Sequence, residues 1–181
     1  MHAHLTTVFS MLDESLAAVQ ASAESVPPAL RGRRPAPERW SVAEVLEHLA
    51  LVEHLFTERI GGRIAAARSR LAAEAGERTP LPPRIVEMMA SRAQTRNAPD
   101  QVIPTGRMDA ERALVALRQA HAGFRAALRD ASGLALSTVT YEHPFFGTLN
   151  AYQWAELMAG HERRHAAQIA EIREQFRALG V

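Results

Sequence analysis

Gly160-His161-Glu162-Arg163-Arg164-His165-Ala166-Ala167-Gln168-Ile169 lies inside a stretch, Asn150 to about Arg177, that reads as one long helix. Trp154, Leu157, Met158, His161, His165, Ile169, Ile172, Phe176 and Leu179 recur at steps of three and four, which puts them on one apolar stripe. Two imidazoles therefore stand mid-stripe, where leucines are expected. A buried neutral imidazole needs partners for two ring nitrogens, and each one left unpaired costs about 1–3 kcal/mol. Side chains four residues apart on a helix are about 5–6 Å from each other, so both rings can reach one ion. Two readings follow: each is a core histidine with its own hydrogen-bond partner, or the pair belongs to a metal site that draws a third ligand from elsewhere.

Working outward, the spacing predicts a first helix from about Leu5 to Glu24, with Leu5, Val8, Phe9, Leu12, Leu16 and Val19 on one face. His2 and His4 before it read as a disordered terminus. The proline-rich segment from Ser25 to Arg39 cannot continue a helix. The second helix has a clear start. Ser41 and Glu44 form the S-x-x-E pattern of a capping box, flanked by Trp40 and Val45 as a hydrophobic staple, so Glu44 has a structural task. Val45, Leu49, Val52, Leu55, Phe56 and Ile60 trace its buried arc, ending near Gly61-Gly62, though Arg63 to Ala75 could resume a helix. His48 lies on that arc and His54 points away from it. His48 is thus an inward histidine one turn past a capped start, the third ligand that the pair in the last helix calls for.

Between Glu77 and Gly106, prolines bracket one short helix, about Arg84 to Thr95, whose use is to cover an end of the bundle. A third long helix follows Asp109, with Leu114, Leu117, His121, Phe124 and Leu128 at core spacing. His121 shares that face and, without an i, i+4 partner, reads first as a satisfied core histidine and second as a rival ligand. Leu136 to Tyr141 reads as a short extended piece. His143-Pro144-Phe145-Phe146-Gly147 reads as a turn, with the lining of a site mouth as the other reading of His143, and Asn150 with Gln153 repeats the capping pattern at the last helix.

At 181 residues the length suits a single domain, and 47% hydrophobic with 23% charged residues is ordinary for a soluble one. The absence of cysteine excludes disulfides, thiolate ligands and a protein thiol nucleophile, leaving His, Asp or Glu for any metal. All 21 basic residues are arginine, a composition of GC-rich bacterial genomes. A net charge of +1 with dispersed arginines argues against a nucleic-acid partner, and the lack of a long apolar run argues against the membrane and for a cytoplasmic protein. His161-Glu162-Arg163-Arg164-His165 is a literal H-E-x-x-H, but an all-helical chain does not suit a metalloprotease, and Glu162, which could act as a base or support a ligand, reads first as solvated or salt-bridged. Gln168 and Tyr152 are polar groups near the site helix, able to orient a substrate or, for Gln168, a ligand histidine.

The combination of Trp40-Ser41-x-x-Glu44-x-Leu46-x-His48-Leu49 with His143-Pro144-x-x-Gly147-x-Leu149, Trp154 and His161-x-x-x-His165-x-x-Gln168-Ile169 resembles the DinB-like superfamily, the DinB/YfiT type of metalloenzyme. The resemblance runs from about residue 5 to 176 and is weakest between Gly61 and Pro99. It implies an all-α four-helix bundle, here residues 1–181 as one domain with an extra short helix in the long connection between the second and third helices. It also implies a divalent metal held by His48, His161 and His165, a homodimer as a common but not universal state, and a small-molecule substrate. Similar members include thiol transferases that use bacterial low-molecular-weight thiols, a thiol-dependent isomerase and many proteins with no assigned reaction.

Three neutral imidazoles add no charge, so an ion held by them keeps its Lewis acidity and open positions. Zinc is the default for such ligands, with nickel, iron and manganese also compatible. A water bound there becomes a hydroxide source and a bound thiol loses its proton. The leading expectation is an S-transferase with a low-molecular-weight thiol as co-substrate. The alternatives are a metal-dependent hydrolase and a non-catalytic, metal-stabilised dimeric bundle.

Overall fold

The structure is a computed structural model, and it describes residues 2–75, 77–92 and 97–181. Helix α1 spans Ala3–Glu24 and starts at His2, whose ring accepts from the His4 amide, so the terminal histidines belong to a helix start and not to a disordered tail. Helix α2, Val42–Phe56, opens on the expected capping box: Ser41 Oγ accepts from the Glu44 amide at 3.2 Å, and Glu44 Oε2 accepts from the Ser41 amide at 2.8 Å. Arg34 pairs with the same carboxylate. Burial pushes the Glu44 carboxyl up, but the bonds from Arg34 and Ser41 outweigh it and hold it below its ordinary value.

Gly61-Gly62 does not end this helix. The chain passes through a π turn, Thr57–Gly61, straight into α3, Gly62–Ala67, with both glycines in helical conformation. Burial of Ile60 and Ile64 overrides the roughly 1 kcal/mol helix penalty of glycine. A Cβ on Gly61 would stand 3.3 Å from the Ala127 Cβ, so the missing side chain lets the two segments approach closely. Helix α4, Pro83–Ala90, starts on proline and stops where Ser91 becomes extended, short of the predicted end; Thr95 lies outside the described residues. Helix α5, Ala110–Arg129, is capped by Asp109, which accepts from the Arg112 amide at 2.8 Å.

The predicted extended piece at Leu136 begins instead as a 3-10 turn, Leu136–Thr138, and the extended chain starts two residues later. Strands β1, Thr140–His143, and β2, Gly147–Asn150, pair antiparallel with Tyr141 opposite Leu149 and His143 opposite Gly147. Gly147, at φ +75°, supplies the left-handed residue that closes this hairpin. The last helix, α6, Ala151–Ala178, begins with the Asn150/Gln153 capping box, both bonds 3.0 Å long. Its buried stripe runs to Phe176, and Leu179, past the helix end, is exposed.

The architecture is an all-α four-helix bundle in which α1 packs on α6 and α2 on α5, with α2 also against α6. Two apolar clusters fill it. One gathers Leu5, Leu12, Phe124, Leu128, Leu157 and Met158; the other gathers Val45, Leu49, Leu117, Ile169, Ile172 and Phe176. Helix α4 lies across α6, with Ile85 and Met89 buried. Among the described residues no helix is long and apolar enough to cross a membrane.

Candidate metal centre

His48 comes from the second turn of α2, and His161 and His165 come from the middle of α6. One ring nitrogen from each lies within 4.8 Å of the others. The ring centroids of His48 are 5.3 Å from His161 and 4.9 Å from His165, and those of His161 and His165 are 4.5 Å apart. The Nε2 atoms of His161 and His165 approach to 3.1 Å. Donor atoms at about 2.0–2.1 Å from a tetrahedral ion are separated by about 3.3–3.4 Å, so this pair is already near ligand spacing.

Two of the three rings are oriented from behind. His48 Nδ1 donates to the Val102 carbonyl at 2.7 Å, which leaves Nε2 as a lone pair facing inward. The carbonyl is in turn held by its loop. Buried Glu47 accepts from the Thr105 amide at 3.0 Å, the Thr105 hydroxyl at 2.6 Å and the Gly106 amide at 3.1 Å. Gly106 takes φ +70° to make that turn. Trp40 packs its ring against His48 at 4.9 Å. His165 Nδ1 donates to Gln168 Oε1 at 2.8 Å, fixing the same tautomer one turn along α6. His161 Nδ1 has no hydrogen-bond partner among the described residues, and this histidine is the half-buried member of the three.

All three imidazoles are driven toward the neutral form that binds metals. Burial lowers His48, opposed in part by the Val102 bond. His161 is pushed down to about 3 by burial, then by the charges of His48 and Arg164. His165 falls well below its usual value for the same reason, with His161, His48 and Arg92 adding to burial and Gln168 opposing.

The sequence pattern that defines the DinB superfamily matches residues 11–169. The chain belongs to the DinB superfamily. All three histidines fall inside the DinB match. The chain is also similar to the uncharacterized protein YuaE of Bacillus subtilis (strain 168), at 26% identity over 148 residues that span 80% of this chain and 83% of YuaE. In fold it is similar to TT2238, described as a four-helix bundle protein in its crystal structure, with a TM-score of 0.55, 22% identity, and coverage of 92% of this chain and 98% of that one.

The other polar residues of this DinB chain sort themselves by position. Gln168 orients the His165 ring; its carbonyl oxygen also accepts from Arg92 at 3.4 Å, while Arg92 pairs with Glu171 at 2.8 Å. Tyr152 is fully buried two and a half turns back along α6, about 13.5 Å at 1.5 Å per residue, and orients nothing at this centre. His143 stacks on Phe146 at 4.4 Å and accepts from the Phe145 amide through Nδ1 at 3.1 Å, a turn residue as its proline neighbour implied. His54 is exposed on the outer face of α2. It lines a groove of about 410 Å³ between α2 and α5 to which none of the three histidines contributes.

Glu162 takes the ion-paired of its two expected places, and His121 takes the core place its spacing implied rather than the ligand one at this centre. Glu162 is fully buried, not solvated, because one step beyond His161 turns it about 100° round the helix, toward α1 and α5. There it accepts from Ser15 Oγ and meets His121 Nδ1 at 3.3 Å. His121 is therefore not a rival for the first centre, and its other neighbour is Glu53, buried on α2 and overlooked in the sequence.

Proposed function

We propose that this chain is a metal-dependent enzyme that transfers a small-molecule thiol to an electrophile, with His48, His161 and His165 holding a divalent ion, zinc first among the candidates. The observation that carries the reading is the meeting of three neutral imidazoles, two of them with the second ring nitrogen already committed to Val102 and Gln168. An ion held by three uncharged ligands would supply Lewis acidity at open positions, the property that lowers the pKa of a coordinated thiol.

The protein's own residues do the rest. Buried His48 and His165 close the inner side to water, and half-buried His161 marks the side from which a small molecule arrives. Arg92 and Arg164 place positive charge beside His165 and His161, which suits the carboxylates of common low-molecular-weight thiols. Arg92 is tethered to Gln168 and Glu171 and so stands at the rim, where a substrate carboxylate competes with Glu171 for it. A homodimer belongs to the same reading and is tested by light scattering.

The test is an assay of zinc-loaded and metal-stripped protein with bacillithiol, mycothiol or glutathione and monochlorobimane. A metal-dependent rate with one thiol, lost in His161→Ala, supports S-transfer. Equal rates in loaded and stripped protein with every thiol sink it. Ester hydrolysis without added thiol would replace it by the hydrolase. Metal that raises the melting temperature without any turnover would leave a metal-stabilised scaffold.

A further inference from the structure

Each of the four long helices sends one polar side chain to a second interior point: Ser15 from α1, Glu53 from α2, His121 from α5 and Glu162 from α6. Ser15, Glu53 and Glu162 are fully buried and His121 is 5% exposed. A core surrounded by leucine and phenylalanine does not accept three ionisable groups unless something balances them. We propose that Glu53, His121 and Glu162 form a second divalent-cation site, separate from the three histidines and richer in oxygen ligands.

Geometry supports this first. A ligand atom from each residue lies within 4.8 Å of the others, and His121 Nδ1 stands 3.3 Å from Glu162 Oε1 and 3.5 Å from Glu53 Oε2. Those separations bracket the roughly 3.4 Å between donor atoms bound at about 2.1 Å to one tetrahedral ion. The hydrogen-bond pattern is the second support. Neither oxygen of Glu53 has a hydrogen-bond partner among the described residues, although the carboxylate is fully buried. A purely structural triad would be expected to spend those oxygens on donors.

The surroundings fit ligation through Nδ1 of His121. Its Nε2 has no hydrogen-bond partner among the described residues, and the nearest carboxylate, Asp13 Oδ1 at 3.9 Å, is held by Arg125 at 2.9 Å. Ser15 Oγ donates to Glu162 Oε2 and orients that carboxylate. Charge agrees as well, because two carboxylates and a neutral imidazole exactly offset a divalent ion. Bundles build metal sites in this way, with carboxylates and histidines from facing helices. The donor set suits manganese, iron or zinc, whereas an all-imidazole site has less appeal for manganese.

The test counts ions on the full-length, metal-stripped chain, dialysed in turn against Zn²⁺ and Mn²⁺ and washed before elemental analysis. The expected result is two zinc ions per chain in the wild type, one in Glu53→Gln, one in His161→Ala and none in the double variant. An immobilised Mn²⁺ electron paramagnetic resonance signal should survive His161→Ala and vanish in Glu53→Gln. Wild-type chains that never hold more than one zinc, with none left in His161→Ala, overturn the proposal without reference to the folding of Glu53→Gln. A signal that persists in folded Glu53→Gln, checked by circular dichroism, overturns it too. If His161→Ala leaves metal content unchanged while Glu53→Gln abolishes it, this site stands and the three-histidine centre falls.

Discussion

Gln168→Ala isolates the contribution of ligand orientation at the three-histidine centre. The Gln168 carbonyl accepts from His165 Nδ1 at 2.8 Å, and His165 is 7% exposed. Truncation leaves a buried N–H with no acceptor, a cost of about 1–3 kcal/mol, and frees the ring to turn its Nε2 away from His161. Loss of an orienting partner behind a metal ligand typically weakens the metal by about 10–100-fold, equivalent to about 1.4–2.7 kcal/mol. Zinc affinity measured by competition with a chromophoric chelator should fall by that factor. Gln168→Glu keeps an acceptor in place and adds a charge that makes the imidazole more basic, so its affinity should match or exceed the wild type. Wild-type affinity in Gln168→Ala, or equal loss in both variants, would refute the reasoning.

Stability of the metal-stripped protein should peak near pH 6.5, because below it His161 and His165, both lowered, together outweigh Glu53. His161, held near 3 in the fold against an ordinary 6.5, cannot take the proton that the unfolded chain accepts, so stability drops as pH falls from 6.5. Glu53 keeps a proton up to about 8 that the unfolded chain releases above 4.5, and His121 keeps one up to about 10, so stability also drops as pH rises. A melting-temperature maximum at pH 8 or above contradicts this. Asn150→Ala removes one half of the capping box of α6 and should cost about 1 kcal/mol, a fall of about 2–4 °C in melting temperature by calorimetry, with Asn150→Gly much milder. Leu117→Ala, at a fully buried position on α5, should cost about 2–5 kcal/mol in urea unfolding without changing zinc stoichiometry. Arg92→Ala should raise the KM for a carboxylate-bearing thiol several-fold and leave kcat nearly unchanged, because the guanidinium stands at the rim.

Helical periodicity and cap chemistry made most of the bundle readable in advance. The Ser41/Glu44 and Asn150/Gln153 boxes form as the spacing implies, and the same spacing aims His48, His161 and His165 inward. The misreadings have local causes. Gly61-Gly62 reads as a stop because glycine disfavours helix, yet burial of Ile60 and Ile64 carries the chain through. The short β1–β2 hairpin is invisible to a search for alternating apolar residues, since Leu149 is its one buried side chain. Glu53 and Ser15 were readable and were passed over. Glu53 lies four after Leu49 and three before Phe56, and Ser15 lies three after Leu12 and four before Val19, both at core spacing. An apolar template discards the polar residues that occupy its own positions.

The acceptor behind His48 is main chain, which separates what evolution can vary from what it must keep. A buried apolar residue of similar size at position 102 presents the same oxygen, so such an exchange leaves the imidazole tautomer untouched. Insertions or deletions between 102 and 106, or loss of the Glu47 anchor, would shift that oxygen and retune the centre while every histidine stayed in place.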